Sequence, residues 1–189
     1  MLTSPTNSER RSPPARTPRS TRALEIVAAA RSVLEAEGSH ALTMRRLGDE
    51  LGIRAPSLYK HFPDKSAVEA AIIEESLAEI GVVLHHAVAH PGRRTAVASV
   101  LATYRSFSLE HPNLYRLSTS GTLDRATLPA GLEDWAGEPF LLATGDSHRA
   151  QALWSFAHGM VILEIDGRFP DSSDLDRTWR AGAAAFAPR

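Results

Sequence analysis

From Thr21 the apolar residues fall at three- and four-residue steps, with Ile26, Ala30, Val33 and Leu34 sharing one face until Gly38 interrupts the run. That period predicts an amphipathic helix closed by glycine. Thr43 then occupies an N-cap position, Leu47 and Leu51 continue a stripe, and Gly52 suits a left-handed stop, so a second, short helix is expected. Ile53 points inward, Pro56 stands early in a third helix where its missing N–H costs nothing, Leu58 and Phe62 extend the apolar face, and Pro63 closes it.

Asp64 is placed to cap a fourth helix. Val68, Ile72, Ile73, Leu77, Ile80 and Leu84 make that helix long, reaching the His85-His86 pair. After Pro91-Gly92 a fifth helix is expected over about Arg93 to Glu110, then a shorter piece at "HPNLYRL" and a loop over 118–127. Leu132, Trp135, Phe140 and Leu141 repeat loosely, and Gly137 and Pro139 predict a broken helix across 128–143. Ala150, Leu153, Trp154, Ala157, Met160, Val161 and Ile165 make a clear stripe over 147–166, stopped by Gly167. A last helix is expected from Ser173, with Asp176 completing a capping box, and carries Leu175, Trp179, Ala183 and Phe186. No segment alternates with a period of two, so the expected class is all-α.

Composition narrows this little: 43% apolar and 23% charged residues suit a globular chain and exclude disorder throughout. The absence of cysteine removes disulfides, thiolate metal sites and a cysteine nucleophile, and fits a reducing compartment. No apolar run approaches the ~20 residues of a bilayer-spanning helix, and the amino terminus lacks the apolar core of a secretion signal, so a cytoplasmic address with no membrane partner is expected.

Charge is informative once divided. Residues 1–66 hold eleven Arg and Lys against seven Asp and Glu, whereas 67–189 hold ten against fifteen. A cationic front fused to an acidic body suggests a polyanion-binding part joined to one with another task. The expected organisation is a disordered basic tail over 1–20, a three-helix domain over 21–66 and a helical body over 67–189. Arg10, Arg11, Arg16 and Arg19 of the tail could add phosphate or minor-groove contacts, or none.

The stretch "TMRRLGDELGIRAPSLYKHF" holds two short helices around a tight turn, the arrangement in which one helix braces another for the DNA major groove. With Leu47, Leu51, Ile53, Leu58 and Phe62 turned inward, Arg45, Arg54, Ala55, Ser57, Tyr59, Lys60 and His61 remain for solvent. Hydroxyl, imidazole and cationic groups donate to phosphate oxygens, and Arg or Lys can reach guanine O6 and N7.

From Thr21 to about Ile80, and above all in "LTMRRLGDELGIRAPSLYKHFPDKSAV", the chain resembles the DNA-binding domain of the TetR/AcrR family of transcriptional repressors. The signature reads Leu58-Tyr59-Lys60-His61-Phe62 with Lys65 following. "ALWSFAHGMVILEIDGRF" resembles carboxy-terminal domains of that family with a Trp-His-Gly type motif, although Trp154 and His158 are not adjacent. The resemblance implies that Thr43, Ser57, Tyr59, His61 and Lys65 grip phosphates, and that Arg45, Ala55, Pro56 and Lys60 lie nearest base edges, the two apolar residues offering contact to thymine methyls at most.

It further implies a homodimer on a palindromic operator in double-stranded DNA, because one short recognition helix makes few contacts while two placed ~34–36 Å apart read a two-fold site. Trp154, Val161, Ile165, Trp179 and Phe186, on the last two helices, are the candidate dimer contacts, each equally explicable as core. The family habit of an effector that displaces the fourth helix implies a small-molecule site. Tyr104, Phe107, His111, Trp135, Phe140, His158 and Met160 mix aromatic surface with polar groups as such sites do.

The alternative keeps DNA binding without an effector, under the control of a protein partner. His86 and His90, spaced i, i+4, could hold a metal, but no carboxylate or cysteine completes a set, so neither metal nor cofactor is expected. No nucleophile elbow, P-loop, dinucleotide fingerprint or zinc-protease motif occurs, and Glu164 and Asp166 diverge on a helix, so an enzyme is not expected.

Overall fold

The computed structural model describes residues 12–187, so the expectations for residues 1–11, Arg10 and Arg11 included, lie outside the described residues. The described chain is all-helical, in the order α1 (Thr21–Glu37), α2 (Met44–Glu50), α3 (Ala55–Leu58), α4 (Lys65–Ala89), α5 (Ala96–Glu110), α6 (Pro112–Thr119), α7 (Leu132–Thr144), α8 (Ser147–Ile165) and α9 (Leu175–Phe186). A single 3-10 turn, Arg125–Thr127, lies between α6 and α7.

These helices form two compact units: one holds residues 14–77 and 111–132, and the other holds 78–110 together with 133 onward. This division differs from a cut after residue 66, because α4 runs unbroken through that point and α6 packs on α1. Asn113 Nδ2 donates to the Glu35 carbonyl at 3.0 Å, and the Leu114 amide donates to Glu35 Oε1 at 3.0 Å.

The first unit is built around the apolar faces read from the sequence. Ile26, Val27, Ala30, Val33 and Leu34 of α1 meet Leu47, Leu58, Phe62, Val68 and Ile72, all buried, and Leu114 closes the cluster. Ser20 Oγ accepts from the Ala23 amide at 3.2 Å and Thr43 Oγ1 from that of Arg46 at 3.0 Å, so both helix starts have their side-chain caps. Gly52, at φ +63°, makes the turn out of α2 in a conformation that disfavours any side chain. The third helix is shorter than expected: α-helix ends at Leu58, and the amides of His61 and Phe62 both return to the Leu58 carbonyl. Two prolines explain this, since Pro56 contributes no amide and Pro63 disfavours helical geometry at the residue before it.

Arg46 fastens α1 to α2 by donating to Glu37 and Glu50. Its hydrogen bonds hold Glu37 below, and the Arg46 guanidinium above, their ordinary pKa ranges.

The expected tail is not free over its described part. The Thr17 amide donates to Glu74 Oε1 at 2.8 Å and Arg19 Nη2 to Glu74 Oε2 at 2.5 Å, with the Glu74 side chain fully buried and Arg19 only 12% exposed. Arg19 is therefore an anchor on α4 rather than a DNA-seeking cation, which corrects the expectation for residues 12–20. Burial alone would push the Glu74 carboxyl up, but the bonds from Arg19 and Thr17 outweigh it and hold the group below the ordinary glutamate value. A carboxyl lowered by folding contributes stability above its unfolded pKa and loses that contribution as pH falls through the folded value. Glu74→Gln should thus cost about 1–3 kcal/mol at neutral pH, the range for hydrogen bonds to charged groups. Urea titrations should show the gap to the parent protein closing in acid, and an equal gap at both pH values would refute the account.

In the second unit, Thr95 Oγ1 caps α5 by accepting from the Ala98 amide at 3.1 Å, which moves its start from the expected Arg93 to Ala96. The broken helix predicted over 128–143 is instead one continuous helix, α7, passing through Gly137 and Pro139. Pro139 cannot donate to the carbonyl four residues back, which belongs to Trp135. His85 of α4 supplies the missing donor, its Nε2 lying 3.0 Å from the Trp135 oxygen. The accepting partner is a carbonyl, so the proton sits on Nε2. A proline that should have interrupted the helix is satisfied from outside it.

Asp174, not Ser173, caps α9, accepting from the Arg177 amide at 2.9 Å. Asp176 is drawn away from any capping box by Arg105, whose Nη1 donates to it at 2.6 Å. Arg105 also grips Glu164 at 2.8 and 2.9 Å, and Glu164 accepts from Trp179 Nε1 at 3.2 Å, so α5, α8 and α9 converge on one charged knot. Burial would lower the Arg105 pKa, but the two carboxylates raise it. Glu164, discounted as a catalytic acid, is the centre of this packing.

Candidate DNA-binding and effector-binding sites

The DNA-facing candidates gather where α2 and α3 present their polar sides. Thr43 and Arg45 at the start of α2, and Pro56, Ser57, Tyr59, Lys60 and His61 in and after α3, are all exposed. Tyr59 stands 52% in solvent beside a fully buried Leu58. Leu58 and Phe62 are the pins and the residues between them the presented edge; α3 itself begins at Ala55. His61 Nδ1 lies 3.5 Å from Ser20 Oγ, which brings the start of α1 to the same edge. Lys65 is more committed than its neighbours: its Nζ donates to the Ser39 carbonyl at 3.1 Å and pairs with Glu69 at 3.2 Å. An ammonium has three donors, so one is left for another acceptor. Arg54, exposed between α2 and α3, is a cation that the sequence pattern sets on the solvent side without assigning it a role.

The effector candidates scatter. Within the second unit an open cleft of about 380 Å³ is lined among others by Val82, His85, His86, His90, Trp135 and Leu142. Of the seven candidates, Trp135 lines it. Tyr104 and Phe140 are buried and meet edge to face, with centroids 5.5 Å apart, as core aromatics do. Met160 is buried, Phe107 is half-buried, and His111 belongs to the other unit. His158 stacks on Trp154 at 5.6 Å, and burial holds its imidazole below the ordinary value. Helical spacing alone missed the histidines of the cleft because it assigned them to a solvated helix end. Among the described residues no cluster of three or more metal-ligating side chains forms; His86 and His90 stack at 4.7 Å, and His90 Nδ1 donates to the His86 carbonyl.

Two dimer candidates are corrected. Val161 is fully buried and Trp179 is 6% exposed, held by Glu164 and by the edge of Phe156, so both are interior residues of this chain. Trp154, at 44%, and Leu163, at 41%, are the large apolar groups that α8 leaves uncovered, while Ile165 and Phe186 are half-buried.

A three-helix head with an exposed polar recognition edge, followed by a larger helical body, defines a helix-turn-helix regulator. Comparison with known proteins agrees: "Bacterial regulatory proteins, tetR family" matches residues 26–72 and "Tetracyclin repressor-like, C-terminal domain" matches 97–186. The chain belongs to the TetR family of transcriptional regulators. It is 41% identical over 176 residues to the class A tetracycline repressor protein from transposon 1721 of Escherichia coli, covering 86% of this chain and 73% of that protein. A helix-turn-helix-type transcriptional regulator of Mycobacterium tuberculosis is 28% identical over 162 residues, 77% of this chain and 71% of the relative. Among solved structures, a protein of unknown function from Rhodococcus sp. RHA1 shares the fold with a TM-score of 0.74 at 20% identity, over 89% of this chain and 94% of that one. A TetR variant from Acinetobacter baumannii AYE, solved with minocycline, shares it at 0.58 and 23% identity, over 85% and 91%. Among the described residues no helix is long and apolar enough to cross a membrane.

Proposed function

We propose that this chain is a cytoplasmic repressor that binds a palindromic operator as a homodimer and leaves it when a small molecule occupies the body. The observation that carries the DNA-reading part is the edge from Pro56 to His61, exposed between two apolar residues sunk in the core. Packing sets its position, so its polar groups are free for phosphates and bases. Thr43, Ser57, Tyr59, His61 and Lys65 position the head on phosphates, while Arg45, Lys60 and the α3 start at Ala55 and Pro56 lie towards base edges. Trp154 with the half-buried Ile165 and Phe186 contributes to the two-fold contact. An effector supplies the switch only by favouring the shape that does not fit DNA, and α4, which lines the cleft with His85, His86 and His90, is the same continuous helix that begins at Lys65.

Selection of bound duplexes from a random pool should return a palindrome with half-site centres ~34–36 Å apart. On that duplex Lys65→Ala should reduce the log–log salt slope by about 0.9, the share of one phosphate contact, and leave base preference intact. Lys60→Ala should relax preference at one position by about 1–3 kcal/mol. Recovery of no enriched sequence, or of one without two-fold symmetry, would overturn the reading.

A further inference from the structure

The cleft in the body carries a second, unused donor set. Trp135 is 7% exposed, yet its indole Nε1 meets no acceptor among the described residues. A buried N–H without a partner is costly in a folded protein and calls for one. The ring cannot turn to find it: one edge lies against the backbone at Gly81, where any side chain would collide, and His85 stacks on the indole at 4.8 Å with 24° between planes. His85 is itself committed to the Trp135 carbonyl.

The charges around the cleft point the same way. None of its lining residues is acidic, and three are imidazoles. The α4–α5 turn between lining residues His90 and Ala96 carries Arg93 and Arg94, both exposed and with no carboxylate partner among the described residues. Within a body of net negative charge this corner is cationic. Val82, Val88, Ala89, Ala96 and Leu142 supply the apolar remainder of the wall. An apolar wall with few convergent polar groups is the usual form of a small-molecule site, and here those groups favour an acceptor bearing negative charge.

We infer that this cleft binds an amphipathic organic acid, an apolar, ring-sized body ending in one carboxylate, with the acid oxygen taking the Trp135 indole N–H and the histidine and arginine rim balancing its charge. The inference rests on the effector reading above and gives it a site and a ligand class.

Calorimetric titration of the full-length protein with 2-naphthoate, 2-naphthamide and 2-naphthylmethylamine tests it. The carboxylate should bind at least about tenfold more tightly than the amine, with the amide between. Trp135→Phe keeps the ring and deletes the orphan donor. It should weaken 2-naphthoate about tenfold without lowering the thermal midpoint, a pattern that a merely structural tryptophan would not give. Should that variant fail to fold, the exposed pair His86→Ala with His90→Ala decides, with the same tenfold loss expected. Equal affinities for the three probes, no binding of any, or an unchanged 2-naphthoate affinity in the variants would each overturn the assignment. Operator binding is measured separately: a cleft that binds 2-naphthoate while the operator complex persists keeps the ligand site and removes the effector role.

Discussion

Gly81→Ala should destabilise the protein by about 1–3 kcal/mol, the range for a methyl forced into a packed interior. The direction is the informative part, because in an exposed helix the same exchange gains up to about 1 kcal/mol from backbone entropy. At Gly81 the added Cβ would stand 2.7 Å from Cε3 and 2.8 Å from Cη2 of Trp135, and nearer still to Cζ3. The Trp135 ring is wedged by His85 and has little room to yield. Gly137, on α7 and exposed, is the control: nothing lies within 4 Å of its added Cβ, so Gly137→Ala should stabilise. Chemical denaturation of the two variants beside the parent reads both signs. A stabilised Gly81→Ala protein would mean that the ring does not sit against α4 as described.

Trp154→Glu should abolish high-affinity operator binding. The ring leaves 44% of its surface in solvent although it is the largest side chain on α8, and the neighbouring His158 is stacked on it with its charged form disfavoured by burial. In a two-fold contact every residue occurs twice, so one substitution places two carboxylates at the joint. With the joint lost, a single short recognition edge remains for each DNA molecule, and affinity should fall by three orders of magnitude or so, towards non-specific binding. Analytical ultracentrifugation and a gel-shift titration on the selected operator test the two halves of the claim together. A variant that still sediments as a dimer and holds its operator would remove Trp154 from the interface.

The front of the chain was legible because each of its cues is local. The caps at Thr43 and Asp64, the stops at Gly38 and Gly52, and the inward face of Leu47, Leu58 and Phe62 depend on residues within a few positions of one another, and each stands where the period places it. What escaped the sequence depends on distant partners. Arg19 looked like one more cation of a basic tail, and only Glu74, 55 residues away, makes it an anchor. Pro139 looked like a break, and only His85 repairs it. Tyr104, Phe140, Val161 and Trp179 fit the description of pocket or interface residues equally well as that of core, and aromatic composition cannot separate these roles without knowing which neighbours fill the space. Asp176 lost its expected capping role to Arg105 for the same reason.

The repair of α7 by His85 has a further meaning for how the body comes apart. A helix that closes its own backbone bonds can fray or form alone, but α7 owes one of its internal bonds to an imidazole from another segment of the chain. If α4 withdraws, the Trp135 oxygen must be rehydrated in the middle of a helix. The two segments are therefore coupled as one cooperative opening unit, protected together and released together.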